Sequence, residues 1–258
     1  MLRAWKLLRV FWAMSTRTPY VNLRAWRLSR DEEIRYRAHR IQVGCSLLCD
    51  ILGVSVHVRG SVPSRGGMLV VSNHFGILDP LILSSVLPSA PVGKAEVLAW
   101  PFLGWVSAAH GMIPVERRRR STVSQFTERV RKRLDAGVNV VVFPEGTTTA
   151  SLQVRRFKTG AFEAVAHRDG GAVLPVYLTV RSIDGRMADE AVRQRVVWAD
   201  GGAPFVEHAL DLASIPHMSF TVYLGRPIPT TGRDRKELAQ LAREAVEALR
   251  LHGETIDT

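Results

Sequence analysis

The sequence predicts an α/β sandwich in which strands alternate with helices. Two short, continuous apolar runs at residues 68–72 and 138–143 have the composition of strands that are covered on both faces. Residues 121–136, between these runs, carry apolar side chains at helical spacing. Such alternation is typical of a sheet with helices packed on it, and 258 residues suffice for one sizeable core. We expect a domain at residues 53–258, preceded by a basic amphipathic helical segment at residues 1–52.

The first elements of the domain follow from local patterns. Residues 31–52 predict a helix, because acidic residues in its first turn complement the helix dipole and Gly53 stands just past its end. Residues 54–59 alternate between apolar and polar side chains, which predicts a half-buried strand.

The later elements are indicated in the same way. Strands are predicted at residues 172–180, 196–198 and 220–224. A last helix opens with the capping box Asp234…Glu237, and we expect it to end at Gly253.

The charge of the chain points to phosphate-bearing partners. The net charge is +11 and the isoelectric point is about 10.6, which favours nucleic acid or an anionic membrane as a partner. The sequence contains no zinc-ligand spacing, RNP-like aromatic run or helix-turn-helix pattern, so we expect no nucleic-acid partner and no metal. Cys45 and Cys49 are four residues apart and predict small buried side chains in a reducing, cytosol-facing location.

The N-terminal segment has the composition of a helix that lies in a membrane interface. Residues 1–30 contain seven arginines and lysines and no acidic residue, interleaved with leucines, Phe11 and the tryptophans Trp5, Trp12 and Trp26. No apolar run reaches the roughly 18–20 residues that a spanning helix needs, and no secretory signal is evident. We expect a peripheral or monotopic protein on the cytoplasmic face of the membrane. A basic, partly disordered tail and a helix docked on its own domain are the alternatives.

His74 and Asp79 are the candidate catalytic residues. Imidazole can take a proton from an alcohol near neutral pH, and a carboxylate on its other ring nitrogen fixes the tautomer and stabilises the imidazolium. Asp79 before Pro80 is also typical of a helix N-cap followed by proline at the first helical position. The two roles are compatible where a strand leads into a helix.

Four motifs in order make the chain resemble the glycerolipid acyltransferase family, especially bacterial 1-acylglycerol-3-phosphate acyltransferases. They are His74-x4-Asp79, the segment from Gly111 to Arg117, the segment Pro144-Glu145-Gly146-Thr147, and an apolar stretch around Pro175. The resemblance covers residues 40–230. It implies a mixed sheet flanked by helices, with an acyl group transferred directly from acyl-CoA or acyl carrier protein to a hydroxyl. No enzyme nucleophile and no cofactor besides the acyl co-substrate are expected.

The resemblance also assigns substrate-binding residues. These are Asn73, Lys94, Arg117, Glu145, Gly146, Thr147 and Lys158. Arg117 is expected to bind an acceptor phosphate, because guanidinium binds phosphate oxygens bidentately, although a structural Arg117–Glu145 pair would also explain both residues. Lysophosphatidate acyltransferases commonly carry arginine where this chain has Thr148, which weakens the phosphate-acceptor assignment.

The expected function is transfer of an acyl chain to a lysophospholipid, most simply 1-acylglycerol-3-phosphate to give phosphatidic acid. Lyso-ornithine lipid is the alternative acceptor. A thioesterase and a non-catalytic basic protein that binds anionic membrane are the alternatives from other classes.

Overall fold

The computed structural model describes residues 2–115, 121–149, 151–198 and 204–256. The helices in this part of the chain are α1 (Leu2–Ala25), α2 (Arg30–Leu52), α3 (Asp79–Val86), α4 (Leu103–Ala109), α5 (Ser121–Asp135), α6 (Glu190–Gln194), α7 (Phe205–Ser214) and α8 (Arg235–Ile256). Two 3₁₀ turns cover Ala95–Ala99 and Thr159–Ala164. The strands are β1 (Val54–Arg59), β2 (Leu69–Ser72), β3 (Ser89–Lys94), β4 (Ile113–Val115), β5 (Asn139–Val142), β6 (Ala172–Ile183), β7 (Arg186–Met187), β8 (Met218–Leu224) and β9 (Ile228–Pro229).

The strands form one mixed sheet in the order β1-β8-β6-β2-β5-β3-β4. The pairs from β6 through β2, β5 and β3 to β4 are parallel, whereas β8 runs antiparallel to β6. The short strands β7 and β9 also pair with β6 in the antiparallel sense. Because β2, β5 and β3 are parallel neighbours, the loops that follow them meet at one edge of the sheet.

Helices cover both faces of the sheet and enclose two apolar clusters. One cluster packs Val130 and Leu134 of α5 and Leu238 of α8 against the strands. The other packs Ile82 of α3 and Leu212 of α7 against the opposite face. Strands β2, β5 and β8 are buried along their whole length, and for β2 and β5 the continuous apolar runs predicted this.

Two sequence predictions about secondary structure are wrong. Residues 196–198 are not a strand: they follow α6 without a partner strand in the described chain, and Val196 and Val197 are simply buried in the apolar core. Helix α8 does not end at Gly253 but continues to Ile256. A side chain at position 253 would not fit, because a Cβ there would lie 2.8 Å from Cζ of Tyr223.

Helix α1 docks on the domain with its large apolar side chains turned outward. Its buried positions are small or polar (Lys6, Ala13, Thr18, Val21, Ala25), whereas its exposed positions include Trp5, Leu8, Phe11, Trp12 and Leu23. The Nζ of Lys6 donates to Leu52 O at 2.5 Å, Ile215 O at 2.6 Å and Pro216 O at 3.2 Å. Within the described residues, none of the helices is both long and apolar enough to cross a membrane. The proposed boundary at residue 52 stays a prediction.

Candidate active site

His74 and Asp79 form a hydrogen-bonded pair where β2 gives way to α3. The distance between Nδ1 of His74 and Oδ2 of Asp79 is 2.7 Å. Because the carboxylate can only accept, Nδ1 carries the proton, and in neutral His74 the lone pair is on Nε2. The Asp79 side chain is buried, whereas that of His74 is partly exposed. This is the arrangement that a general base needs, with one nitrogen held and the other free to accept a proton.

Asp79 is held by the backbone of the loop that carries His74. Its Oδ2 also accepts from the N–H groups of Phe75 at 2.6 Å and Gly76 at 2.9 Å. The predicted N-cap role is therefore wrong in detail: Asp79 is the first residue of α3, Leu78 occupies the N-cap position, and the carboxylate faces back over the loop. Pro80 follows without cost, because a backbone N–H at the start of a helix has no helical partner.

An aromatic ring with no role predicted from the sequence holds the plane of the imidazole. Phe143 stacks on His74 with ring centroids 4.1 Å apart and an angle of 15° between the rings. Phe143 follows β5 directly, and β5 is the parallel neighbour of β2. The sequence feature that could have indicated this role is the position of Phe143, an aromatic residue at the end of an apolar run and directly before the Pro144-Glu145 segment.

Two further segments hold the loop that carries His74. The N–H of Thr149 donates to His74 O at 3.0 Å, and the N–H of Trp198 donates to Phe75 O at 3.0 Å. The hydroxyl of Thr148 donates to Trp198 O and so ties the two segments together. Gly76 permits this close approach, because a Cβ there would lie 2.9 Å from Val196 O.

Asn73 supports the sheet rather than the substrate site. Its Nδ2 donates to Leu178 O at 2.9 Å, and its Oδ1 accepts from Leu178 N at 2.9 Å and from the Ser72 hydroxyl. The side chain is buried between β2 and β6, so the predicted substrate contact does not fit this position. Its position fits a role in anchoring the start of the catalytic loop.

Glu145 is a buried carboxyl beside the pair. It is 4% exposed, and among the described residues neither carboxyl oxygen has a hydrogen-bond partner. Burial raises the pKa of Glu145 to about 7; the nearby backbone N–H and the positive charge of Arg155 lower the pKa, and the negative charge of Asp79 raises it. Arg117, the predicted partner of Glu145, lies outside the described residues, as do Arg118, Arg119 and Arg120.

Comparison with known proteins identifies the family of this chain. The family described as Acyltransferase matches residues 53–179. A lyso-ornithine lipid O-acyltransferase from Pseudomonas aeruginosa is 35% identical over 217 residues, which are 82% of this chain and 78% of that protein. The chain belongs to the acyltransferase family.

Two other relatives differ in the substrate that their names give. A 1-acyl-sn-glycerol-3-phosphate acyltransferase from Neisseria meningitidis is 32% identical to this acyltransferase over 168 residues, 64% of this chain and 62% of that protein. The crystal structure of the 1-acyl-sn-glycerophosphate acyltransferase PlsC from Thermotoga maritima matches with a TM-score of 0.63, 20% identity and 98% coverage of both chains. At that identity the structural match supports the mixed α/β fold alone.

The remaining predicted substrate residues of the acyltransferase lie on loops at the same end of the sheet as His74. Gly146 has a φ of +74°, and a Cβ there would lie 2.8 Å from Cε of Lys158, so these two residues are packed together. Thr147 is half-buried in the same loop. Lys94, at the end of β3, is exposed, and its Nζ lies 5.9 Å from the ring centroid of Trp198. The structure thus gathers Lys94, Glu145 and Lys158 on the loops at the edge that carries His74.

Proposed function

We propose that this acyltransferase moves an acyl chain from acyl-CoA or acyl carrier protein to the free hydroxyl of a lyso-lipid. The observation that carries the proposal is the 2.7 Å hydrogen bond between His74 and Asp79 at the end of β2. Nε2 of His74 takes the proton of the hydroxyl as its oxygen attacks the thioester carbonyl carbon. The C–S bond then breaks, and the thiolate leaves with the proton that the imidazolium returns.

The state of the cysteines supports direct attack by the acceptor. Burial raises the pKa of Cys45 to about 12 and that of Cys49 to about 11, so both thiols stay protonated at neutral pH. Both lie on α2, away from the loop of His74. A covalent acyl-cysteine intermediate therefore has no support from these two residues.

The proposed acceptor is a lyso-ornithine lipid. The Pseudomonas aeruginosa relative that carries this name spans most of both chains. Thr148, at the position where the phosphate-specific relatives commonly carry arginine, is neutral and bonds Trp198 O. An ornithine head carries an ammonium and a carboxylate, which places less demand on fixed cations than a phosphate monoester does. The second candidate is 1-acylglycerol-3-phosphate, supported by the Neisseria meningitidis relative and by Arg117 in its motif.

The base assignment is tested by His74→Ala in a purified assay with labelled acyl-CoA and a panel of lyso-lipids. Loss of a general base costs roughly 10²–10⁴ in rate. His57→Ala, on an exposed position of β1, is the matched control and should keep wild-type turnover. Near wild-type turnover of the His74→Ala protein would show that another group removes the proton.

The acceptor assignment is tested by two substitutions at one position. Thr148→Arg should raise the ratio of kcat/KM for 1-acylglycerol-3-phosphate to that for lyso-ornithine lipid, because it restores a cation. Thr148→Ala removes the same bond to Trp198 without adding charge and is the control. Arg117→Ala should raise KM for the phosphorylated acceptor far more than for the acyl donor. A wild-type protein that prefers 1-acylglycerol-3-phosphate makes the second candidate the function.

We also propose that the protein works peripherally at the cytoplasmic face of an anionic membrane, with α1 in the interface. Trp12 is 65% exposed, and the guanidinium of Arg9 lies 4.5 Å from the ring centroid of Trp5. Phe11 contacts Phe102 with ring centroids 4.8 Å apart, so the apolar surface continues toward the loop after β3. Arginines beside tryptophans on an outward face suit the boundary between headgroups and acyl chains.

Vesicle sedimentation tests the membrane proposal. Trp12→Gln should weaken binding to phosphatidylglycerol vesicles, and part of the wild-type binding should persist in high salt because it is apolar. Val62→Gln changes an exposed apolar residue in the loop after β1 and should bind as the wild type does. Equal binding by the Trp12→Gln and wild-type proteins would place the membrane contact elsewhere.

A further inference from the structure

A charged cavity lies between α2, α5 and the end of α4. Its volume is about 240 Å³, and its charged lining consists of Arg30, Glu33, Arg37 and Arg133. Ala90, at the start of β3, also lines it. Because β3 is parallel to β5, which is parallel to β2, the start of β3 lies at the end of the sheet opposite the His74 loop. The cavity is therefore separate from the candidate active site.

One arginine of the cavity is held rigidly. Nε of Arg37 donates to Glu33 Oε1 at 2.8 Å, and its Nη1 donates to Asn22 Oδ1 at 3.1 Å and to Ala109 O. These contacts join α1, α2 and α4 and leave the other terminal nitrogen of the guanidinium without a bond in the described structure. Glu33 is the one carboxylate among the lining residues, and it forms an ion pair with Arg37.

The other two arginines of the lining, Arg30 and Arg133, form no ion pair within the described residues. Arg133 is half-buried, and among the described residues its guanidinium has no hydrogen bond or ion pair. Burial lowers the pKa of Arg133, and the neighbouring charges of Arg129, Arg30 and Arg37 lower it further against the attraction of Glu33. Like charges without a counter-ion destabilise the folded state, so this cluster has a cost that an anion would offset.

We propose that this cavity binds a phosphate ester. Guanidinium groups bind phosphate oxygens bidentately, and up to three such groups face one small space. The volume accommodates a phosphoryl group together with several waters, since one water occupies about 30 Å³. The phosphate belongs either to the headgroup of a membrane phospholipid or to a soluble phosphate ester.

Calorimetric titration of the full-length protein with sulfate tests the site, because sulfate keeps its double charge across the working pH range. Ionic strength is held constant with chloride. We expect saturable binding that Arg133→Gln weakens about tenfold or more, as the loss of charge-assisted hydrogen bonds predicts. Arg226→Gln removes an exposed arginine outside the cavity and should leave the affinity unchanged. No saturable binding by the wild type, or equal binding by the Arg133→Gln protein, would overturn the proposal.

Two further measurements complete the test. At low salt without sulfate, Arg133→Gln should raise the melting temperature because it relieves repulsion; a fall would mean that Arg133 stabilises the fold and would contradict the proposal. Sedimentation with phosphatidic acid and phosphatidylcholine vesicles then identifies the source of the phosphate. If the Arg133→Gln protein binds phosphatidic acid vesicles more weakly than the wild type but binds phosphatidylcholine vesicles equally well, the phosphate belongs to a lipid headgroup. If its vesicle binding is unchanged while its sulfate binding is lost, the phosphate belongs to a soluble ester.

Discussion

Replacing Glu145 by glutamine tests the electrostatics of the candidate site most directly. Burial raises the pKa of Glu145 from 4.5 to about 7, so the folded protein holds a proton there that the unfolded chain releases. A difference of this size corresponds to roughly 3 kcal/mol of unfolding free energy. Glutamine keeps the shape of the side chain and cannot ionise.

The sign of the effect follows from proton linkage. Below pH 4.5 the carboxyl is protonated in both states, and any stabilisation from the bound proton is fully present. As the pH rises from about 4.5 to about 7, the wild type loses stability relative to Glu145→Gln, and above that range the difference is constant. Groups common to both proteins cancel in the comparison. The difference between the two unfolding free energies should therefore change by about 3 kcal/mol across this window.

Urea unfolding at half-unit steps from pH 4 to pH 8.5 measures this difference. Glu96→Gln, which removes an exposed carboxylate in the 3₁₀ turn after β3, controls for the general effect of one lost negative charge. If the difference between wild type and Glu145→Gln does not depend on pH, Glu145 is ionised in the folded protein. An ionised Glu145 needs a neutralising cation, for which Arg155 and the predicted structural partner Arg117 are the candidates.

Three other substitutions give separate predictions. Asp79→Asn should lower kcat by roughly 10²–10⁴ with little change in KM, measured by steady-state kinetics, because the imidazolium of His74 loses its counter-charge; a change in KM alone would remove Asp79 from the chemistry. Gly146→Ala should lower the unfolding free energy by about 1–2 kcal/mol in thermal unfolding, because its φ is +74°. Gly160→Ala, in open space, is its control. Lys6→Met should lower the melting temperature by leaving carbonyl groups unpaired, at about 1–3 kcal/mol, and an unchanged temperature would mean that α1 docks without it.

The elements of the fold that could be predicted from the sequence are those that a local pattern of apolar and polar residues determines. Strand β2 and the first residues after it follow from one apolar run and its abrupt end, and α5 follows from its apolar spacing. The pairing of His74 with Asp79 was also predictable, because both belong to one short loop and one motif. The resemblance to the family also predicted that segments distant in the sequence meet at one end of the sheet.

The parts that sequence did not predict depend on tertiary contacts. Asn73 looks like a substrate ligand in the motif, but the amide is occupied by Leu178, which is distant in sequence. The stacking of Phe143 on His74 requires knowing that β5 lies beside β2. Gly253 matches a helix terminator locally, whereas the ring of Tyr223 decides its role.

Helix α1 turns its large apolar side chains outward, and an aqueous environment alone does not explain this orientation. A globular helix normally turns its apolar side chains inward, at about 25 cal/mol per Å² of apolar surface buried. Here the inward side holds Lys6, whose ammonium is bonded to three carbonyl groups, while Trp12 is 65% exposed. Burying the lysine is tolerable because the ends of α2 and α7 supply acceptors that would otherwise be unpaired. Exposing the tryptophans has no such compensation in water, but it has one in a lipid interface. The polarity of the helix therefore supports the proposed peripheral membrane contact independently of its positive charge.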